Sequence, residues 1–398
     1  MSTVFLHIGT AKTGTTALQR FLPQNSALLN QNGYDHPLMP FHFPRMGDGR
    51  NAHFLTVWND KTEWAKRWDK GFQTVHEACD RYDHVILSDE VLWAECAKEG
   101  FLERMREGFA QIGAKLRVIV YLRRQDDMAE SHWNQMVKGK LKFTKGFSEF
   151  VREGGYEESF PLAYDKGLDA IADCIGRENI IVRVYEKGQF TGGSIFADFL
   201  DTIGLTLTEE YELPEYAVNT RLPENVVEIK RLINTVESYR DEKVPNYFRE
   251  VIRQAYGLEA MREIPDRRTG RFSDEERQAF MERYAAGNAY VAREYLHRED
   301  GILFYEKPAS LPQWQPDEWE IQQDMVRVLA AADVYEYRKR RELESEVHKL
   351  ATQVDGLSAQ LTRTQAQLDA MTEQLNTIHN SAPFRAWRRL HKGKGEGS

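Results

Sequence analysis

The chain has 398 residues, of which 41% are apolar and 29% charged, a composition typical of a globular protein with a sizeable core. The formal net charge of −9 argues against a general nucleic-acid-binding protein. Three scattered cysteines, Cys79, Cys96 and Cys174, exclude a disulfide framework. Because we find neither a long apolar run nor a signal-peptide pattern, we expect a cytoplasmic enzyme.

The first two hundred residues alternate between short apolar runs rich in β-branched residues and helical segments. Strands are predicted at residues 1–8, 85–87, 118–122 and 180–185, and helices at 16–29 and 60–80, with a long loop at 34–58. Beyond residue 220 the pattern is almost wholly helical. This order predicts an α/β fold with a mainly parallel, P-loop-like sheet flanked by helices.

Near the C-terminus, apolar residues recur in alternating steps of four and three. This pattern predicts a coiled coil over residues 341–380, reached through a helical connector at 311–340. A homo-oligomer is expected, and the mixture of Leu and Val leaves dimer and trimer open. The seam comprises Leu343, Val347, Leu350, Val354, Leu357, Leu361, Thr364, Leu368, Met371, Leu375 and Ile378.

A short basic and aromatic tail follows at residues 381–398. Phe384 and Trp387 stand among basic residues there, a combination that suits contact with an anionic membrane surface. A solvated tail is the alternative interpretation.

Between the first strand and the first helix lies the segment GTAKTGTT, residues 9–16. Consecutive backbone N–H groups at such a turn form an anion-binding cradle with the N-terminus of the helix. Glycines let the anion approach the backbone, a lysine adds charge, and threonines add hydroxyl donors. The residues are Gly9, Ala11, Lys12, Thr13, Gly14, Thr15 and Thr16.

This segment resembles the 5′-phosphosulfate loop of sulfotransferases that use 3′-phosphoadenosine-5′-phosphosulfate (PAPS). In the nucleoside-triphosphate loop the lysine follows the second glycine, whereas here Lys12 precedes Gly14. The resemblance implies a PAPS-dependent sulfotransferase domain over residues 1–310. It implies transfer of a sulfuryl group, without a metal, to a hydroxyl of a carbohydrate or glycolipid acceptor, with Lys12 as a catalytic residue.

A second segment resembles the same family after the strand at 118–122. Those enzymes grip the 3′-phosphate with an arginine at a strand end and a serine eight residues later, and Arg123 and Ser131 stand at that spacing. A guanidinium and a hydroxyl are suitable phosphate ligands. Arg124, one residue later, is the alternative phosphate ligand. The alternative to phosphate binding is that the arginine forms an ion pair with a nearby aspartate.

Two weaker matches concern the rest of the cofactor site. The segment at 267–273 resembles the loop that closes over the 3′-phosphate, which implies contacts from Arg268, Gly270 and Arg271. We expect this arginine cluster to have no packing role, and an ordinary surface arginine run is the alternative. Tyr185 stands where a tyrosine often lies near the adenine, although a core position is equally compatible. Ala17 replaces the adenine-stacking tryptophan of some cytosolic members, which points to the carbohydrate branch.

The general base has two candidates. Related enzymes carry a histidine or glutamate base after the loop helix or at the end of the second strand, where Glu90 stands. His53, in the long loop, is the second choice, and His7 is expected to be structural.

Two other functions compete with the sulfotransferase. A nucleoside-triphosphate-dependent kinase needs a magnesium ligand, for which Asp89 after the strand at 85–87 is the candidate. The other is a non-catalytic coiled-coil scaffold with a degenerate nucleotide domain.

Overall fold

The structure is a computed structural model that describes most of the chain. The described residues are 2–10, 13–41, 49–56, 61–139, 141–154, 162–214, 224–237, 239, 248, 251–252, 269–307 and 312–391. The chain divides into two compact units. The first comprises residues 1–246 and 258–325, and the second comprises residues 247–257 and 326–398.

The first unit is built on a five-stranded sheet in which every pairing is parallel. The order of the strands across the sheet is β2-β3-β1-β4-β5. The strands are β1 (Thr3–His7), β2 (Tyr34–Asp35), β3 (His84–Ser88), β4 (Lys115–Leu122) and β5 (Ile180–Val184). The predicted α/β class with a parallel sheet is confirmed.

Helices cover both faces of this sheet. The described helices of the first 180 residues are α1 (Thr15–Gln24), α2 (Ser26–Gln31), α3 (Lys61–Cys79), α4 (Leu92–Glu95), α5 (Phe101–Gln111), α6 (Gln125–Lys138), α7 (Phe147–Glu153) and α8 (Tyr164–Ile175). They are followed by α9 (Ile195–Thr202), α10 (Glu224–Ile233), α11 (Asp274–Glu282), α12 (Ala285–Glu294), α13 (Glu318–Asn380) and α14 (Ala382–His391). None of the helices in this described part combines the length and apolar character needed to cross a bilayer.

Alternate strand residues face opposite layers, as the pleat requires. Val4 and Leu6 of β1 join an apolar cluster with α3, α5 and α8, whereas Phe5 joins a cluster with α1 and α9 on the other face. Fully burying such a side chain contributes about 1.5–3 kcal/mol. A third cluster brings α6, α7, α10 and α11 together around Trp133. The sheet is therefore packed between apolar clusters on both faces.

Between residues 16 and 58 the secondary structure differs from the sequence-based prediction in two places. The predicted helix at 16–29 is two helices that meet at Asn25. Pro23 lacks the N–H that would continue the helical ladder, and the Asn25 side chain donates to the Phe21 carbonyl at 2.8 Å. The predicted long loop contains β2, which pairs with β3, and a 3₁₀ turn at His53–Leu55.

In the second unit, α13 covers the whole predicted coiled-coil segment. The predicted seam residues are exposed along it, with Leu361 at 71%. The predicted long C-terminal helix is confirmed. Its pairing with other copies, like the division of residues 311–398 into connector, coiled coil and tail, stays a prediction.

Candidate active site

The segments singled out in the sequence follow the carboxyl ends of the strands. Residues 9–16 follow β1, Asp89 and Glu90 follow β3, residues 123–131 follow β4, and Tyr185 follows β5. Because the sheet is parallel, all of these strand ends lie at one edge. The order of the strands reverses direction between β1 and β4, and such a switch point is where open α/β sheets form a binding crevice.

The described residues of the loop after β1 are 9–10 and 13–16, and two of them are glycines with specific backbone requirements. A Cβ atom on Gly9 would lie 2.3 Å from Cγ2 of Thr15, so only glycine fits there. Gly14 has a φ of 75°, in the left-handed region that glycine adopts without strain, and it caps α1. A hydrogen bond connects the loop to β4: the Thr10 hydroxyl donates to the Tyr121 carbonyl at 2.7 Å. These features place the described part of the loop directly before the N-terminus of α1.

The hydroxyls of the loop threonines have different surroundings. The Thr13 hydroxyl donates to the Thr10 carbonyl at 2.5 Å, which closes the turn rather than facing outwards. The Thr15 hydroxyl is buried, and Thr16 is exposed. Ala11 and Lys12 lie outside the described residues, so their predicted roles stay predictions.

Glu90 is held against this loop. The Thr15 hydroxyl donates to Oε2 of Glu90 at 2.8 Å, which joins the end of β3 to the start of α1. The Glu90 side chain is half-buried. The first-choice base therefore stands beside the cradle.

The second candidate, His53, belongs to a buried cluster next to Glu90. Nδ1 of His53 lies 2.8 Å from Oδ2 of Asp89, and Arg50 donates to both oxygens of the same carboxylate at 3.2 and 2.7 Å. Burial raises the pKa of Asp89, but the hydrogen bond from His53 and the charge of Arg50 outweigh it and lower that pKa. Asp89 is therefore ionised, so Nδ1 of His53 carries the proton that it donates to this carboxylate, and Nε2 is the nitrogen left for another partner.

The carboxylate of Asp89, the candidate magnesium ligand of a kinase, is already engaged by hydrogen bonds. Its Oδ1 also accepts the backbone N–H of Val91 at 2.9 Å, so both oxygens are fully used. Across the described residues, no group of three or more His, Cys, Asp or Glu is arranged to hold a metal ion. The sequence analysis considered Asp89 only as the magnesium ligand of a kinase, and it did not single out Arg50.

His7 lies behind these groups, inside β1. Its Nδ1 is 2.9 Å from the Ser88 hydroxyl, which also accepts from Gln19 at 3.3 Å. Burial lowers the pKa of His7 to about 4, although the charge of Asp89 partly opposes the shift. A neutral, enclosed imidazole agrees with the structural role expected for this residue.

The two arginines after β4 are used differently. Arg124 forms a two-point ion pair with the buried Asp126 at 3.1 and 2.8 Å, and Arg277 joins the same carboxylate at 2.6 Å. Nη2 of Arg123 is 3.8 Å from Asp127, a loose contact of a partly exposed side chain. Arg124 is thus a structural residue. The Arg123 side chain is 27% exposed, and Ser131 lies half-buried in the second turn of α6.

Tyr185 contacts both the loop after β1 and the apolar cluster that includes α1 and α9. A Cβ atom on Gly14 would lie 3.2 Å from Cε2 and 3.5 Å from the hydroxyl oxygen of Tyr185. The Tyr185 N–H donates to the Leu122 carbonyl at 2.7 Å, which fixes the residue just beyond β5. The tyrosine and the loop glycine are therefore neighbours.

The expectation that the arginine cluster at 267–271 has no packing role is wrong for Arg271. Its buried guanidinium donates to the Glu224 carboxylate at 2.6 Å and lies 4.7 and 4.1 Å from the Trp133 and Trp314 ring centres. Phosphate binding by Arg271 would require this ion pair to open. Gly270 exchanges backbone hydrogen bonds with Pro312 and Trp314, and Arg268 lies outside the described residues.

Comparison with known proteins gives only distant matches, and no family model matches the chain. A protein of Archaeoglobus fulgidus, described as uncharacterized, is 28% identical over 217 residues. The match covers 49% of this chain and 52% of that protein, so the chain spans about half the length of this relative. A sulfotransferase from Alicyclobacillus acidocaldarius, 14% identical, aligns over 60% of this chain and 99% of its own with a TM-score of 0.35. So weak a likeness assigns no activity.

Proposed function

We propose that this chain is a PAPS-dependent sulfotransferase that modifies a hydroxyl of a carbohydrate or glycolipid. The observation that carries the proposal is the contact between Thr15 of the glycine loop and Glu90 at the end of β3. It joins an anion cradle to a candidate base at one sheet edge. Transfer to an alcohol needs both a positive site for the donor and a base for the acceptor.

The donor-binding residues fit an anionic nucleotide. The glycine loop offers backbone N–H groups and the N-terminus of α1, and Lys12 would add a positive charge. Arg123 and Ser131 would hold a second phosphate, in agreement with the sequence resemblance. When bound, PAPS supplies the sulfuryl group. The role of this chain is to stabilise the negative charge that develops on the transferring group and the leaving phosphate beside the loop, and to exclude water.

Glu90 is the base that we propose for the acceptor hydroxyl. A carboxylate that accepts a hydrogen bond from Thr15 is held in one orientation beside the cradle, and a positioned base contributes about 10²–10⁴-fold in rate. His53 is the alternative, because Asp89 fixes its tautomer with Nε2 as the proton acceptor. In that case Asp89 and Arg50 are positioning residues that act through His53.

The two alternative functions, a nucleoside-triphosphate-dependent kinase and a non-catalytic coiled-coil scaffold, are less well supported. A nucleoside-triphosphate loop places its lysine where this chain has Thr15, and the aspartate that would bind magnesium is already paired with Arg50 and His53. A degenerate nucleotide domain would not be expected to retain Lys12 together with the left-handed glycine of the loop.

Sulfate transfer tests the proposal directly. The purified chain is incubated with PAPS and a panel of glycans and glycolipids, and mass spectrometry detects the gain of one SO₃ group. We expect Lys12→Ala to lower the initial rate by about 10²–10³-fold, the effect of losing one electrostatic donor. Lys66→Ala, on an exposed position of α3, is the matched control. Equal activity of Lys12→Ala and wild type would contradict the proposal.

A further inference from the structure

The C-terminal helix α14 has two chemically opposite faces. At about 100° per residue, the apolar side chains fall in one arc and the arginines in the opposite one. Trp387 is 54% exposed and Leu390 is 77% exposed, so the apolar face lies at the surface of the second unit. The apolar arc comprises Pro383, Phe384, Ala386, Trp387 and Leu390, and the basic arc comprises Arg385, Arg388 and Arg389.

This apolar face does not continue the heptad seam of α13. After Ile378, the next seam positions in alternating steps of four and three are Ala382, Arg385 and Arg389. Two of these are charged, so the seam ends before α14. A second copy of the chain that pairs along α13 therefore leaves the apolar face of α14 uncovered.

A defined turn separates the two helices. The Ser381 hydroxyl donates to the Ile378 carbonyl at 2.7 Å, and Oγ of Ser381 accepts from the Phe384 N–H at 3.4 Å. The Phe384 ring lies 4.7 Å from the His379 ring and 5.6 Å from the Trp387 ring. These contacts make α14 a distinct element with an aromatic pair on its apolar side.

We propose that α14 is an interfacial helix that binds an anionic phospholipid surface. Aromatic and leucine side chains on one face enter the boundary between head groups and acyl chains, while arginines opposite and beside them meet the phosphates. Tryptophan is well suited to this depth, since its ring is apolar and its N–H stays hydrogen-bonded. Binding by one such helix is weak. Parallel association of α13 would bring several copies of α14 to the same surface and strengthen it.

Flotation of the full chain with lipid vesicles tests this proposal. One set of vesicles is phosphatidylcholine alone, and the other contains equal parts of phosphatidylcholine and phosphatidylglycerol. We expect the wild-type chain to float with the anionic vesicles only, and to dissociate as salt shortens the screening length from about 10 to 3 Å. Binding to both sets alike, or to neither, overturns the proposal.

Paired variants separate the helix from the rest of the chain. We expect Arg388→Gln with Arg389→Gln to weaken vesicle partitioning about 30-fold, from about 1 kcal/mol for each arginine. The matched control is Arg340→Gln with Arg341→Gln on the exposed surface of α13. We expect Trp387→Ala to weaken partitioning about tenfold or more, whereas Trp319→Ala, at another exposed tryptophan, leaves it unchanged. Equal losses in the α14 variants and their controls would contradict a site on α14.

Discussion

The hydroxyl of Thr15 donates to the carboxylate of Glu90 at 2.8 Å, across a separation of 75 residues in the sequence. Thr15 is the first residue of α1, and Glu90 lies two residues beyond the end of β3. The contact therefore couples the loop that would hold an anion to the group that would accept a proton.

The first prediction concerns Glu90. If it is the base, Glu90→Gln lowers the rate of sulfate transfer by about 10²–10⁴-fold. The amide oxygen still accepts from Thr15, so binding of adenosine 3′,5′-bisphosphate is retained. Steady-state kinetics and calorimetry measure the two effects. Glu99→Gln, at an exposed position nearby, is the control. A large loss in His53→Asn with little loss in Glu90→Gln would transfer the role to His53.

The second prediction compares the two neighbouring arginines after β4. Arg124 pairs with buried Asp126, so Arg124→Gln should lower the free energy of unfolding by about 2 kcal/mol. The ion pair of Arg123 with Asp127 is long, at 3.8 Å, and partly exposed, so its loss in Arg123→Gln should change stability little. Arg123→Gln should, however, weaken the binding of adenosine 3′,5′-bisphosphate about tenfold or more. The reverse pattern in denaturant unfolding and calorimetry would reassign the phosphate contact to Arg124.

The third prediction is a loss of stability in mild acid. Burial lowers the pKa of His7, His36 and His132 to about 4, against about 6.5 in the unfolded chain. Between these values the unfolded chain binds protons that the folded protein excludes. The free energy of unfolding therefore falls as the pH decreases below about 6.5, by about 2 kcal/mol per histidine at pH 5.

Denaturant unfolding at neutral and mildly acidic pH measures this loss. His7→Gln should remove its own share of the pH dependence, about 2 kcal/mol between neutral pH and pH 5. His76→Gln, at an exposed position on α3, should leave it unchanged. A free energy of unfolding that stays constant over this range would show that the histidines are protonated in the folded protein.

The fourth prediction concerns the seam of α13. We expect light scattering to give a mass of two or three chains, and Leu361→Arg to reduce it towards one. Ala359→Arg, outside the seam, should keep the wild-type mass. Uncharged glutamines flank the seam at seven-residue spacing, so association should persist at high salt. They are Gln353, Gln360, Gln367 and Gln374. A monomeric wild-type chain would contradict the coiled coil.

The sheet could be predicted because its strands carry continuous apolar runs. The sequence missed β2, whose two residues are specified by pairing with β3 rather than by a pattern of their own. It also missed the roles of groups whose partners are distant in the chain. Asp89 meets His53 across 36 residues, and Arg271 meets Glu224 across 47. Spacing along the chain carries no information about such contacts. An exposed arginine run and a buried ion pair therefore look alike in the sequence.

Calorimetric titration of the wild-type chain with adenosine 3′,5′-bisphosphate tests the central claim most directly. The loop that starts at Gly9, with Lys12 ahead of Gly14, predicts saturable binding of this nucleotide without a divalent metal, weakened at least about tenfold in Lys12→Ala. It also predicts no comparable binding of ATP with magnesium. Tight binding of ATP with magnesium, and none of the bisphosphate, would contradict the account.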